Sequence, residues 1–235
     1  MLAIRDLAEA YRPFDSTDAS VVDEGVLELE VQPVGWLREG RADALVTPAI
    51  VANLGVMPRW EIVVQGRNIV ALDGTVDPEE TELVDTGAFL KGVVREGSLQ
   101  GARGPSVATE FGVLLPTSND GSGVGATIVA IVSQQWPLAT VHLNVAPIWS
   151  RDDHVELFVG AIGEGPKAWV VRPVAEMFVE KQFGGDLVVS GLAGAIWRVT
   201  DELSLDLAFR RAGENGTPIS EVRAGFTWAF RVYSS

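Results

Sequence analysis

The sequence predicts an all-β chain, a transmembrane antiparallel up-and-down β-barrel of about twelve strands. Three observations lead there. Segments alternating apolar and polar residues with period two are separated by Gly, Pro, Asn and Asp clusters roughly every 15 to 20 residues. The seven tryptophans fall at or near the ends of these segments. One face of the segments is apolar throughout, and the other carries charge mixed with Gly, Ala and Thr.

Taken in order, the strands are read at 26–37, 43–56, 59–71, 83–95, 105–116, 123–135, 138–149, 154–164, 168–181, 187–199, 202–211 and 219–231. The first six are marked by turn residues at their ends and by Glu28, Glu30, Gln32, Glu61, Gln65, Arg67, Lys91, Arg95 and Glu110 recurring on one face. The seventh alternates most cleanly: Val141, Leu143, Val145, Pro147 and Trp149 oppose Thr140, His142, Asn144 and Ala146. In the ninth, Val171, Pro173, Ala175, Met177 and Val179 oppose Arg172, Glu176 and Glu180. In the eleventh, Leu203, Leu205, Leu207 and Phe209 oppose Ser204, Asp206, Ala208 and Arg210. The twelfth sets Val222, Ala224, Phe226, Trp228 and Phe230 against Glu221, Arg223, Gly225 and Thr227. Residues 1–24 precede the first strand and are expected as a periplasmic segment, with the barrel over 25–235.

Composition narrows the class. With 235 residues, 47% hydrophobic and 21% charged, the chain suits one ordered domain. No window holds the roughly eighteen unbroken apolar residues of a membrane helix, whereas the longest apolar stretches, such as Val124 to Val132, match a membrane-crossing strand. A formal charge of −14 argues against nucleic acid as a partner, and the absence of cysteine removes thiolate chemistry and disulfides. Met1 to Ala10 carries Arg5, Asp6 and Glu9 where a signal peptide needs an apolar core, so a mature form or a late start is expected.

Period two alone leaves open which face meets water, because a soluble sandwich or ligand-binding barrel carries the same stripes. Tryptophan placement favours lipid on the apolar side. Trp60, Trp136, Trp169, Trp197 and Trp228 are expected at one boundary, Trp36 and Trp149 at the other, and parity turns all but Trp36 to the apolar face. Indole is apolar with one N–H that wants a wet partner, so two interfacial girdles follow, with Phe230 beside Trp228. Connections alternate as well. Those at Arg38 to Ala42, Leu72 to Glu82, Thr117 to Ser122, Ser150 to His154, Gln182 to Asp186 and Ala212 to Pro218 are read as external, and the intervening turns are mostly shorter, except 96–104.

The charged face is then a crowded lumen. Glu28, Glu30, Glu61, Arg67, Lys91, Arg95, Glu110, His142, Asn144, Arg172, Glu176, Glu180, Asp206, Arg210 and Arg223 are expected to line it, either along a permeation path or as structural charge pairs. His142 and Asn144 resemble the His and Asn of an outer-membrane phospholipase, but a lipase needs a Ser beside that His and a lipid-facing site. A lumen hydrogen bond is the simpler account. Glu176 and Glu180 share a face as a glycosidase pair would, yet arginines on the same surface offer charge pairing. Loop carboxylates Asp77, Glu79, Glu80, Asp152, Asp153 and Glu214 fit no calcium-loop spacing, and Gly121 to Gly125 precedes a strand, not the helix of a phosphate cradle. No catalytic set, cofactor or metal is expected.

Several stretches together resemble the outer-membrane barrels grouped as putative transporters similar to the MetA-pathway of phenol degradation. They are RPFDSTDASVVDEGVLELE (Arg12 to Glu30), GPSVATEFGVLLPT (Gly104 to Thr117), RPVAEMFVEK (Arg172 to Lys181), VTDELSLDLAFRRAGENG (Val199 to Gly216) and GFTWAF (Gly225 to Phe230). The resemblance implies an outer-membrane barrel for passage of small, often hydrophobic molecules, with lipid and lipopolysaccharide as its surroundings. Arg231 to Ser235 continue past Phe230, the aromatic position at which such barrels usually end. A closed structural or adhesive barrel and a soluble ligand-binding barrel are the alternatives.

Overall fold

A computed structural model of the chain describes residues 12–72, 81–117 and 123–233. Twelve strands form one closed barrel: β1 (Val26–Glu39), β2 (Ala42–Met57), β3 (Trp60–Ala71), β4 (Thr81–Arg95), β5 (Ser106–Leu114), β6 (Gly125–Gln135), β7 (Thr140–Trp149), β8 (Val155–Glu164), β9 (Val171–Gln182), β10 (Leu187–Arg198), β11 (Leu203–Glu214) and β12 (Thr217–Arg231). Each strand pairs antiparallel with its chain neighbours, and β1 closes the wall against β12. Closure leaves no unpaired edge, which is what lets a sheet sit in hydrocarbon.

The twelve expected strands are all present. The main boundary change is at the last hairpin, where β11 and β12 extend until only Asn215 and Gly216 remain between the paired Glu214 and Thr217. Both turn residues have positive φ, 48° and 90°, the backbone that a two-residue Asn-Gly turn requires. Asp77, Glu79 and Glu80 lie outside the described residues.

Alternation becomes inside and outside. In β7, His142, Asn144 and Ala146 are buried while Leu143, Val145 and Trp149 are exposed. Met177, Val179, Leu207 and Phe209 extend the exposed apolar surface around the wall. At the rim where β1 begins, the Trp60 ring lies flat over Gly92 of β4, so closely that a methyl group there would collide with it.

Parity fails at two expected positions, and the cause is the same. A β-bulge in β1 between Val31 and Val34 adds one residue, so Gly35, not Val34, faces inward opposite Arg223. Trp36, expected on the polar face, therefore points outward opposite Val222 and Leu45, and all seven tryptophans lie outside or at the rims. Its indole donates to Asp43 Oδ1 at 3.0 Å. A second bulge, between Val93 and Arg95 of β4, takes Arg95 off the lumen face. It is exposed at the rim and donates to the Pro105 carbonyl at 3.1 Å.

Inside the wall runs a strap, residues 12–24, which turns back from the start of β1. Three small apolar contacts seat it: Phe14 on Val174 and Ile196, Ala19 on Ala108 and Ile131, and Val22 against Val26 and Ala229. The long connection 96–105 folds inward at the same rim. Its 3₁₀ turn, Ser98–Gln100, places Leu99 on the Ala19 cluster and lets Gln100 Nε2 donate to the Ala19 carbonyl at 2.9 Å.

Candidate functional site

The lumen is built by inward side chains of every sector of the wall, and most of those in the half nearer the β1 rim are engaged by the strap. An irregular segment inside a barrel has backbone N–H groups that neither a ladder nor bulk water satisfies, so each needs an acceptor. Carboxylates provide several of them. Val22 N–H donates to Glu61 on β3 at 2.7 Å. Ser16 N–H and Asp15 N–H donate to the two oxygens of Glu176 on β9, at 2.6 and 2.9 Å. Arg12 N–H donates to Glu30 on β1 at 3.0 Å. Neutral acceptors complete the path: Thr17 exchanges two bonds with Asn144 at 3.1 and 2.7 Å, and Ala19 N–H donates to Ser133 Oγ at 2.9 Å. With the ion pairs described next, the strap from Val22 to Arg12 reaches β3, β6, β4, β7, β9, β12, β11 and β1, a circuit of the interior.

Charged side chains lock the same path. Lys91, fully buried, lies 3.4 Å from Asp18 and 3.5 Å from Glu61. The Arg12 guanidinium reaches Asp206 at 3.2 Å and Gln32 at 2.9 Å. Arg223 donates to the Pro13 carbonyl at 2.7 Å, to Asp15 at 3.0 Å and to Glu221 at 2.8 Å. Enclosure by the wall opposes ionisation of Asp15, but Arg223 and Arg210 outweigh it and hold its carboxyl below the ordinary carboxylate value. Asn53 donates to Glu30 at 2.9 Å, and Glu28 is fully buried beside it.

Beyond the strap, toward the opposite rim, Arg67 pairs with Asp85 at 2.5 Å, and Arg210 pairs with Glu221 at 3.4 Å while lying 5.3 Å over the Phe178 ring. Glu110 faces inward opposite Lys91, and Glu180 faces inward on β9. Arg172 donates to Glu164 at 2.6 Å. Fourteen of the fifteen residues expected in the lumen are therefore inside it, Arg95 being outside.

Sequence reasoning did not find Ser133 or Glu164. The register places Ser133 opposite His142, so the hydroxyl lies 2.8 Å from His142 Nδ1, and His142 Nε2 lies 3.1 Å from Glu164. This chain of Ser, His and Glu looks like a hydrolase triad on paper. In place, Ser133 is fully buried beneath the strap and its oxygen accepts the Ala19 N–H, so the group serves as a wall-to-strap anchor. A Ser two residues from the end of β6 and a His three into β7 could have been paired by counting outward from the β6–β7 turn.

No protein-family model matches the chain, and no curated protein matches it in sequence. Its fold is shared with solved outer-membrane barrels. An outer-membrane channel from Pseudomonas putida F1 superposes with a TM-score of 0.61 at 9% identity, covering 92% of this chain and 100% of that one. The KdgM porin in complex with disordered oligogalacturonate gives 0.57 at 9%, covering 87% and 99%. The CymD monoaromatic hydrocarbon channel gives 0.50 at 9%, covering 91% and 90%. At these identities the likeness is one of architecture, and the translocator domain of the autotransporter NalP from Neisseria meningitidis shares it too, with a TM-score of 0.50 at 11% identity, covering 87% of this chain and 88% of that one.

Proposed function

We propose that the chain is an outer-membrane barrel through which small molecules, hydrophobic ones among them, diffuse passively, and that it belongs with the barrels similar to the MetA-pathway of phenol degradation proteins. The observation that carries this reading is the two-faced closed wall: an apolar exterior rimmed by tryptophan around a charged interior. Such a surface would aggregate in water and suits lipid. On this reading, lipids and lipopolysaccharide surround the belt. Two of the three longest connections, 72–80 and 115–124, leave the rim opposite the start of β1, while the third, 96–105, folds inward at the β1 rim, which favours the opposite rim as the external one. The strap then narrows the periplasmic half of the lumen, and the wall residues that hold it govern how far the path opens. Solutes as unlike as the oligogalacturonate of the KdgM porin complex and the monoaromatic hydrocarbons of the CymD channel are each compatible with a lumen that mixes charges with Phe158 and Phe178.

The occupied lumen favours one second reading, a closed structural or adhesive barrel. Reconstitution separates the two. The channel reading expects a protein that requires detergent, gives discrete conductance steps in planar bilayers and supports liposome swelling by small sugars. Protein that stays monodisperse without detergent removes the membrane assignment. A detergent-requiring protein with no conductance or swelling leaves the structural barrel.

A further inference from the structure

We propose that the lumen passes cations in preference to anions, and that Glu156 and Glu180 set this preference. The inference rests on the channel reading above and concerns the half of the lumen that the strap leaves free. Both carboxylates face inward on adjacent strands, β8 and β9, where Phe158 is paired with Glu180 and Glu156 with Gln182. They are diagonal neighbours on one face, about 7–8 Å apart by strand geometry.

Their height in the barrel follows from two contacts on the same strands. Strap residue Ser16 bonds Glu176 on β9, and its hydroxyl lies over Gly160 on β8. Glu180 and Glu156 are each four residues farther from the β1 rim, roughly 13 Å along the strand beyond the strap. What sets them apart is their partners. Among the described residues neither makes a hydrogen bond or an ion pair, although both are half-buried.

The cations of the same zone are already committed. Arg67 pairs with Asp85 and reaches Glu221 at 3.9 Å, Arg210 pairs with Asp15 at 3.5 Å and Glu221, and Arg223 pairs with Asp15 and Glu221. Their fields are largely cancelled within those pairs, so although Arg210 lies near enough to act on Glu180 and Arg151 on Glu156, no cation of this zone among the described residues is paired with either glutamate. The Phe158 and Phe178 rings, 5.0 Å apart beside them, exclude water and so weaken screening. Glu39, Asp186 and Glu214 carry the same sign to the mouth. Carboxylates lining a narrow path attract cations and repel anions.

The test is the reversal potential of the full-length protein in planar bilayers under a KCl gradient. The unaltered channel is expected to favour K⁺ over Cl⁻ by roughly threefold or more. The double variant Glu156→Gln/Glu180→Gln is expected to move the ratio most of the way to one, and Asp201→Asn, an exposed turn residue at the β1 rim, to leave it unchanged. Resistance of unheated barrel to dodecyl sulfate checks folding, and the single variant Glu180→Gln, expected to move the ratio partway, replaces the double if that fails to assemble. A ratio at or below one in the unaltered protein overturns the proposal, as does an unchanged ratio in the folded double variant or its replacement. Absence of any current overturns the channel reading itself and the selectivity with it.

Discussion

Glu176 accepts the backbone N–H of Ser16 at 2.6 Å, across 160 residues of sequence. With the neighbouring Asp15 N–H on its other oxygen, this carboxylate anchors the strap where it crosses β9. Removing it leaves two enclosed N–H groups without acceptors, a cost of about 1–3 kcal/mol each. Glu176→Ala should therefore free the strap in a folded barrel. Because the chain has no cysteine, Ser16→Cys gives a unique thiol. Its labelling by a membrane-impermeant maleimide should accelerate more than tenfold in the Glu176→Ala background, and equal rates would show that the strap is held elsewhere.

Asp15 offers a pH-resolved version of the same question. Arg223 and Arg210 hold its carboxyl below the ordinary carboxylate value of 3.8, so the tether to them is complete above that pH and is lost as pH falls through the lower, folded value. Comparing thiol labelling of the Ser16→Cys protein with and without Asp15→Asn should give a constant difference from pH 7 down to about 5, closing only in stronger acid. A difference that vanished between pH 7 and 5 would contradict a depressed Asp15.

The elbow between strap and wall is Gly25, with φ +79°. A methyl group there would strain the backbone and collide with the carbonyl oxygen of Tyr233, whose own N–H and that of Val232 bond the Gly25 carbonyl at 3.3 and 2.8 Å. Gly25→Ala should cost at least 1–2 kcal/mol of strap docking. Limited proteolysis should then cut within residues 12–24 while leaving the barrel intact, and protection equal to the unaltered protein would count against the elbow.

Tryptophan depth is measurable without any substitution. With all seven indoles at the rims or on the outer face near them, phosphatidylcholines brominated near the headgroup should quench the fluorescence more than those brominated near the chain ends. The reverse order would place the aromatic residues in the middle of the bilayer.

Strand number, order and facing were legible because period two is a direct image of the pleat, whereas the last hairpin reads too wide, as a loop from Ala212 to Pro218, although Asn215-Gly216 carries the signature of a two-residue turn. The failures sit where one residue is added. Trp36 and Arg95 lie past bulges that reverse parity, and the Pro33 beside the first of them was a readable sign, since proline inside a strand pattern marks an edge or a bulge. The strap was not legible. Its contacts are mostly backbone N–H groups meeting Glu30, Glu61 and Glu176 from three distant strands, and backbone donors have no sequence signature. The same glutamates could be recognised as interior, but not as acceptors for one segment that lies 18, 39 and 160 residues away from them in the chain.

The circuit of the strap also sets an order of assembly. Arg12 and Pro13 emerge early from the ribosome, yet their partners Asp206 and Arg223 belong to the last two strands. A segment made before every strand of the wall is thus the last to settle. Until the β1–β12 seam zips shut it has only part of its acceptors, so the strap can be fully docked only in a closed wall.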